Sequence, residues 1–106
     1  MKNVFSAIFA VLMLAIVFSG SSLAQGGADV FKAKCALCHG PDGKGQTPMG
    51  KNMNVRDLGS ADVQSQSDAD LNNSITNGKG KMPKYDGKLT KDQISDLVKY
   101  IRTLKR

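Results

Sequence analysis

Both cysteines and the single histidine of this chain fall within five consecutive positions, Cys35-Ala36-Leu37-Cys38-His39. That concentration constrains the fold more than any other feature, because little else in the sequence could hold a core together. Phe5, Phe9 and Phe18 crowd into the opening stretch, which leaves Phe31, Tyr85 and Tyr100 as the aromatics of everything that follows. A domain of that size is marginal by itself and ordinarily leans on a disulfide, a metal, a cofactor or a partner.

The opening stretch reads as a removable export signal covering residues 1–24. Lys2 gives it a positive start, Val4 to Phe18 carries no charge, and Ser22-Leu23-Ala24 has the small-x-small pattern of a cleavage site. The alternative is an uncleaved anchor. Its uncharged run of 15 residues falls short of the roughly 20 that span a bilayer, which favours removal. A single domain, residues 25–106, is then expected to follow, soluble and exported, in a periplasm or comparable compartment. Losing Lys2 lowers the formal net charge from +6 to +5.

The domain shows helical periodicity and no alternation that would mark a strand. The clearest helix is the last: Thr90-Lys91-Asp92-Gln93 forms a capping box, Leu89 and Ile94 stand as its hydrophobic staple, and Ile94, Leu97, Val98, Ile101 and Leu104 make one apolar stripe. Arg102, Lys105 and Arg106 suit the negative end of its dipole. Ser67-Asp68-Ala69-Asp70 starts a shorter helix carrying Leu71 and Ile75 and ending at Asn77-Gly78. A first helix is expected from about Ala28 into the cysteines, with Phe31, Cys35 and Cys38 on one face. The segment from Gly40 to Gly59, rich in Gly and Pro, reads as loop. The fold class is therefore all-α, three to four short helices and long loops wrapped around something other than protein.

Several chemistries use a Cys-x-x-Cys spacing, and the surroundings discriminate among them. Structural zinc wants four ligands, and the chain offers two Cys and one His. A thioredoxin-like dithiol would be framed by a βαβ pattern, which is absent. An inert disulfide suits an exported protein but leaves His39 without a role. Covalent attachment of one c-type haem accounts for all three residues: each thiol can add to one haem vinyl group, and the histidine beside the second cysteine is placed to bind the iron. A dithiol without haem remains the competing chemistry.

On these residues the chain resembles the small monohaem class I cytochromes c, and within them the bacterial and algal carriers of the cytochrome c6 kind. The likeness is carried by Cys35-Ala36-Leu37-Cys38-His39-Gly40-Pro41-Asp42-Gly43-Lys44-Gly45, by Met82-Pro83, and by Tyr85, Gly87-Lys88-Leu89-Thr90, Ile94, Leu97 and Tyr100-Ile101. It implies a small cytochrome c fold, packing of the first helix on the last through Gly27 and Phe31 against Leu97 and Tyr100, and a loop-proline carbonyl supporting His39. For that carbonyl Pro48 is the stronger candidate and Pro41 the weaker. With no tryptophan in the chain, Arg56, Lys88 or Tyr85 is expected to meet the haem propionates.

The second axial ligand decides between electron transfer and chemistry at the metal. Met49, Met53 and Met82 are the methionines available after the leader. Met82 is the expected ligand, because Gly78-Lys79-Gly80-Lys81-Met82-Pro83 combines glycines that permit close backbone approach with a proline that stops the preceding helix. Met49 and Met53 follow His39 too closely and are expected to pack near the ring instead. With both axial positions filled by protein, the expected activity is one-electron transfer and not catalysis. Lys44, Lys51, Lys79, Lys81, Lys84 and Lys88 lie in the loops expected to rim the haem. They read either as a solvated surface or as a basic ring that steers a monomeric carrier to acidic patches on redox partners. Nucleic acid is a poor partner for basic stretches without interleaved aromatics. A cytochrome subunit of a dehydrogenase or oxidase, and a peroxidase or gas sensor with a labile Met82, are the alternatives.

Overall fold

The computed structural model describes residues 26–106. The expected export segment, its cleavage point and Gln25 lie outside the described residues. Among those described, no strand forms. Isolated bridges join Lys79 to Met82 and Asp86 to Leu89.

The last helix, here α6, spans Lys91–Thr103 and starts as its sequence predicts. Thr90 accepts from the Gln93 N–H at 3.1 Å, and the Gln93 side chain accepts in return from the Thr90 N–H at 2.9 Å. Two otherwise orphaned N–H groups are thereby satisfied. Its stripe buries Ile94, Leu97, Val98 and Ile101, while Leu104, just past the helix, is half-buried against them.

The first helix, α1, spans Gly27–Lys34 and crosses α6. Gly27 is needed at the crossing, since a Cβ there would run into the Asp96 backbone and touch the Tyr100 Cβ at 3.0 Å. That close approach lets Phe31, 2% exposed, reach Tyr100 with ring centroids 5.1 Å apart and planes tilted by 41°. Burying Phe31 and Leu97 stabilises by about 1.5–3 kcal/mol each.

The expectation of one continuous helix through the cysteines needs correcting. The helix is interrupted at Cys35, where φ widens to −115° with ψ −30°, and a separate turn α2 spans Ala36–His39. Phe31 is fully buried, whereas Cys35 and Cys38 are half-buried.

The expected loop from Gly40 to Gly59 also contains a helix, α3, Pro48–Met53. Thr47 caps it, Pro48 stands at its first position, and Asn54 ends it in the left-handed region at φ 56°. These are ordinary start and stop signals that the surrounding glycines obscured. A single turn α4, Ala61–Gln64, is capped by Ser60, and α5, Asp68–Asn77, by Ser67. Leu71 and Ile75 of α5 are buried, as their spacing predicts. The described residues thus hold four helices of six or more residues and two single turns, where three to four helices were expected. One cluster gathers Val30, Phe31, Leu58, Val63, Leu71, Ile75, Ile94, Leu97, Val98 and Ile101.

Candidate haem site

The break at Cys35 and the turn α2 present Cys35, Cys38 and His39 half-buried, near the surface of the core. Both cysteines are free thiols. Burial, helped by the neighbouring Cys38, pushes the Cys35 thiol up to about 11. Cys35 leans on the buried cluster. The two thiols and the imidazole do not converge, for among the described residues no three Cys, His, Asp or Glu side chains form a group that could hold a bare ion. That arrangement does not make a structural zinc site, which needs four converging ligands.

His39 carries the test of fit. Its Nδ1 is buried and has no hydrogen-bond partner. Burial lowers its pKa below the usual imidazole value, and the Arg56 backbone, which favours the protonated ring, only partly opposes this. A buried imidazole without a partner is costly unless something takes it up, and a metal on one nitrogen with a backbone acceptor near the other is the usual resolution. The residues present therefore fit a haem iron. The expected proline carbonyl does not accept from His39 Nδ1, which has no hydrogen-bond partner, and the backbone group that raises the ring's pKa is that of Arg56. Thr47 was missed in the sequence. Its Oγ1 accepts from the Gly50 N–H at 2.9 Å and donates to the Cys38 carbonyl at 2.8 Å, fastening α3 to the segment that carries His39. The Thr47-Pro48 pair was the signal that could have found it.

Met82 occupies a tight turn between α5 and α6. The Lys79 and Met82 backbones bond each other, the Met82 N–H reaching the Lys79 carbonyl at 3.0 Å. Gly78, at φ +76°, makes the turn possible, since a Cβ would meet the Met82 carbonyl at 2.7 Å. Met82 is half-buried and packs on the same cluster as Cys35. Met53 is half-buried but outside that cluster's shell, and Met49 is 40% exposed. Of the residues expected at the propionates, Tyr85 has its hydroxyl committed to the Lys34 carbonyl, to which it donates at 3.0 Å. Arg56 and Lys88 are exposed. An open groove of about 930 Å³ runs between α2 and α3 past Leu37, Thr47, Met49 and Lys51. None of Cys35, Cys38, His39 or Met82 lines it, so it is not the iron's place.

Lys44, Lys51, Lys79, Lys81, Lys84 and Lys88 are all exposed, and none is in an ion pair among the described residues. No described helix is long and apolar enough to cross a membrane.

Comparison with known proteins agrees with the geometry. Residues 22–101 match the family model described as cytochrome c oxidase, cbb3-type, subunit III. The chain is 32% identical over 105 residues to the cytochrome c6 of Nostoc sp. (strain PCC 7120 / SAG 25.82 / UTEX 2576), covering 95% of this chain and 92% of that one. It is 37% identical over 82 residues to the cbb3-type cytochrome c oxidase subunit FixP of Azorhizobium caulinodans, covering 76% of this chain and 27% of FixP. Among solved structures it is similar to the KustC0563 c-type cytochrome, with a TM-score of 0.72 and 28% identity over 77% of this chain and all of that one.

Proposed function

The chain belongs to the cytochrome c family, whose members carry covalent haem c and serve electron transport, and on that premise we propose that it is a free, exported one-electron carrier with His39 and Met82 as axial ligands. Bound haem c supplies the iron(III)/iron(II) couple that takes up and gives back one electron. In this reading Cys35 and Cys38 hold the group by thioether bonds, which keeps it on the chain through every redox cycle. In this reading His39 and Met82 would both ligate the iron, which would leave no coordination position for a substrate. Thioether ligation and apolar surroundings both favour the less charged ferrous state and so raise the potential. The exposed lysines steer the carrier to acidic surfaces on its redox partners, with which it makes short-lived complexes as a monomer.

The observation that carries this reading is the orphaned, buried His39 Nδ1 beside two half-buried thiols, with Met82 packed on the same core as Cys35. Met82 is tested by absorption spectra in both redox states. The native ferric protein should show the weak far-red band of a sulfur–iron bond, and the reduced protein should resist carbon monoxide. Met82→His should lose the band and lower the potential, and Met82→Ala should bind carbon monoxide readily. Met49→Leu and Met53→Leu should change neither spectrum nor potential. Rapid carbon monoxide binding by the native protein would sink the carrier reading and favour sensing or peroxidase chemistry.

A second reading, a subunit held permanently by an oxidase, is favoured by the cbb3-type family model and the FixP match. Fractionation separates the two. The carrier should appear in the soluble exported fraction at the size of one chain, and a subunit should stay with the membrane complex.

A further inference from the structure

The turn that bears Met82 is fastened to two different parts of the molecule. The Tyr85 N–H donates to the Ile75 carbonyl and the Asp86 N–H to the Thr76 carbonyl, both at 3.0 Å, tying the turn to α5. The Tyr85 hydroxyl makes the other attachment, donating at 3.0 Å to the carbonyl of Lys34, 51 positions away.

That carbonyl is available because the helix breaks at Cys35. In an unbroken helix the Cys38 N–H would take it. Here the Cys38 N–H bonds the Cys35 carbonyl instead, at 3.3 Å, and among the described residues no backbone N–H reaches Lys34. Lys34 immediately precedes Cys35, so the hydroxyl grips the peptide bond that leads into the first attachment cysteine. Burial pushes the Tyr85 phenol up, and the nearby Cys35 and Cys38 thiols add to the effect. A phenylalanine would fill the same place in the shell of the core but remove the side-chain tie from the Met82 turn to the Lys34 carbonyl.

We propose that Tyr85 is a positioning residue for Met82, its hydroxyl clamping the Met82 turn to the segment that carries Cys35 and Cys38, so that the thioether and the attachment site move as one unit. This rests on the reading of Met82 as an axial ligand. Without the clamp the turn remains tied to α5 but gains freedom relative to α2, and Met82 should leave the iron more often.

The experiment uses the ferric haem-loaded protein and the limiting rate of cyanide binding at saturating cyanide, which reports how often Met82 departs. Tyr85→Phe should keep the sulfur band and raise that rate about tenfold, the effect of losing one hydrogen bond. Gln64→Met serves as a control for general loosening. It removes two hydrogen bonds to the Leu58 and Ile101 carbonyls, away from the Met82 turn, and should lower the melting temperature without changing the cyanide rate. A native rate in Tyr85→Phe overturns the clamp, as does an equal acceleration in Gln64→Met. Met82→Ala separates the two readings: a surviving sulfur band removes the ligand assignment and the clamp with it. A lost band combined with an unaltered Tyr85→Phe rate removes the clamp alone.

Discussion

At the scale of single residues, Tyr85 and Arg102 join distant segments by donating to backbone carbonyls. Arg102 donates to the Gln64 carbonyl at 2.9 Å and the Gln66 carbonyl at 2.6 Å, and pairs with Asp68 at 2.8 Å. The carbonyls matter more than the ion pair, because the Asp68 side chain is 77% exposed and its charge is well screened. Arg102→Met should therefore destabilise the haem-loaded protein by about 1–3 kcal/mol through stranded carbonyls, whereas Asp68→Asn should change stability by less than about 0.5 kcal/mol. Urea titration of the two variants checks the ranking, and an Asp68→Asn loss as large as that of Arg102→Met would refute it. Arg102 was legible in sequence only as a favourable charge at a helix end. Its partners lie 34 to 38 positions away, and nothing local announces them.

Among elements, α1 and α6 form the frame on which the site is built, and each depends on a single well-defined device. Thr90→Ala removes one half of the capping box and should cost about 1 kcal/mol, read as an earlier unfolding midpoint with unchanged slope. Gly27→Val places a side chain against the Asp96 backbone, so α1 and α6 must part, at a cost of about 1–3 kcal/mol. The loss should be visible also as weaker near-ultraviolet dichroism from the Phe31 and Tyr100 pair. A Gly27→Val protein as stable as the native one would mean that the crossing is looser than it looks. Both devices were legible in the sequence, the box from Thr90 and Gln93 and the crossing from the likeness to the family. The helix α3 was not anticipated, because the density of glycine and proline around it outweighed three correct local signals, Thr47, Pro48 and Asn54.

For the whole molecule, the buried cluster of ten hydrophobic residues contains one aromatic, and Cys35, Met82, Tyr85 and Tyr100 stand half-buried around it. The haem's apolar faces are expected to supply the missing burial. A chain with both Cys35→Ser and Cys38→Ser should accordingly be largely unfolded, with weak helical circular dichroism at room temperature. Cooperative unfolding of that apoprotein at a midpoint close to the holoprotein's would contradict the expectation. The charge of the whole molecule has its own consequence. If the unpaired lysines steer docking, electron transfer to an acidic partner should slow as salt is raised, and Lys79→Glu and Lys81→Glu should weaken that dependence while leaving the spectrum unchanged. A rate indifferent to salt would leave the lysines as ordinary solvated surface.

What the sequence determined by itself was local: the Cys35–His39 cluster, the capping box and apolar stripe of α6, and the end of α5 at Asn77-Gly78. Each of these is decided within a few residues, by hydrogen-bonding groups and apolar spacings that hold in any fold. The tertiary structure alone decided which leftover groups meet. It broke the first helix at Cys35, left the buried His39 Nδ1 without a partner, and brought the Tyr85 hydroxyl to the Lys34 carbonyl. Those outcomes depend on how α1, α5 and α6 pack, and packing is a balance over the whole chain that no short stretch of sequence contains.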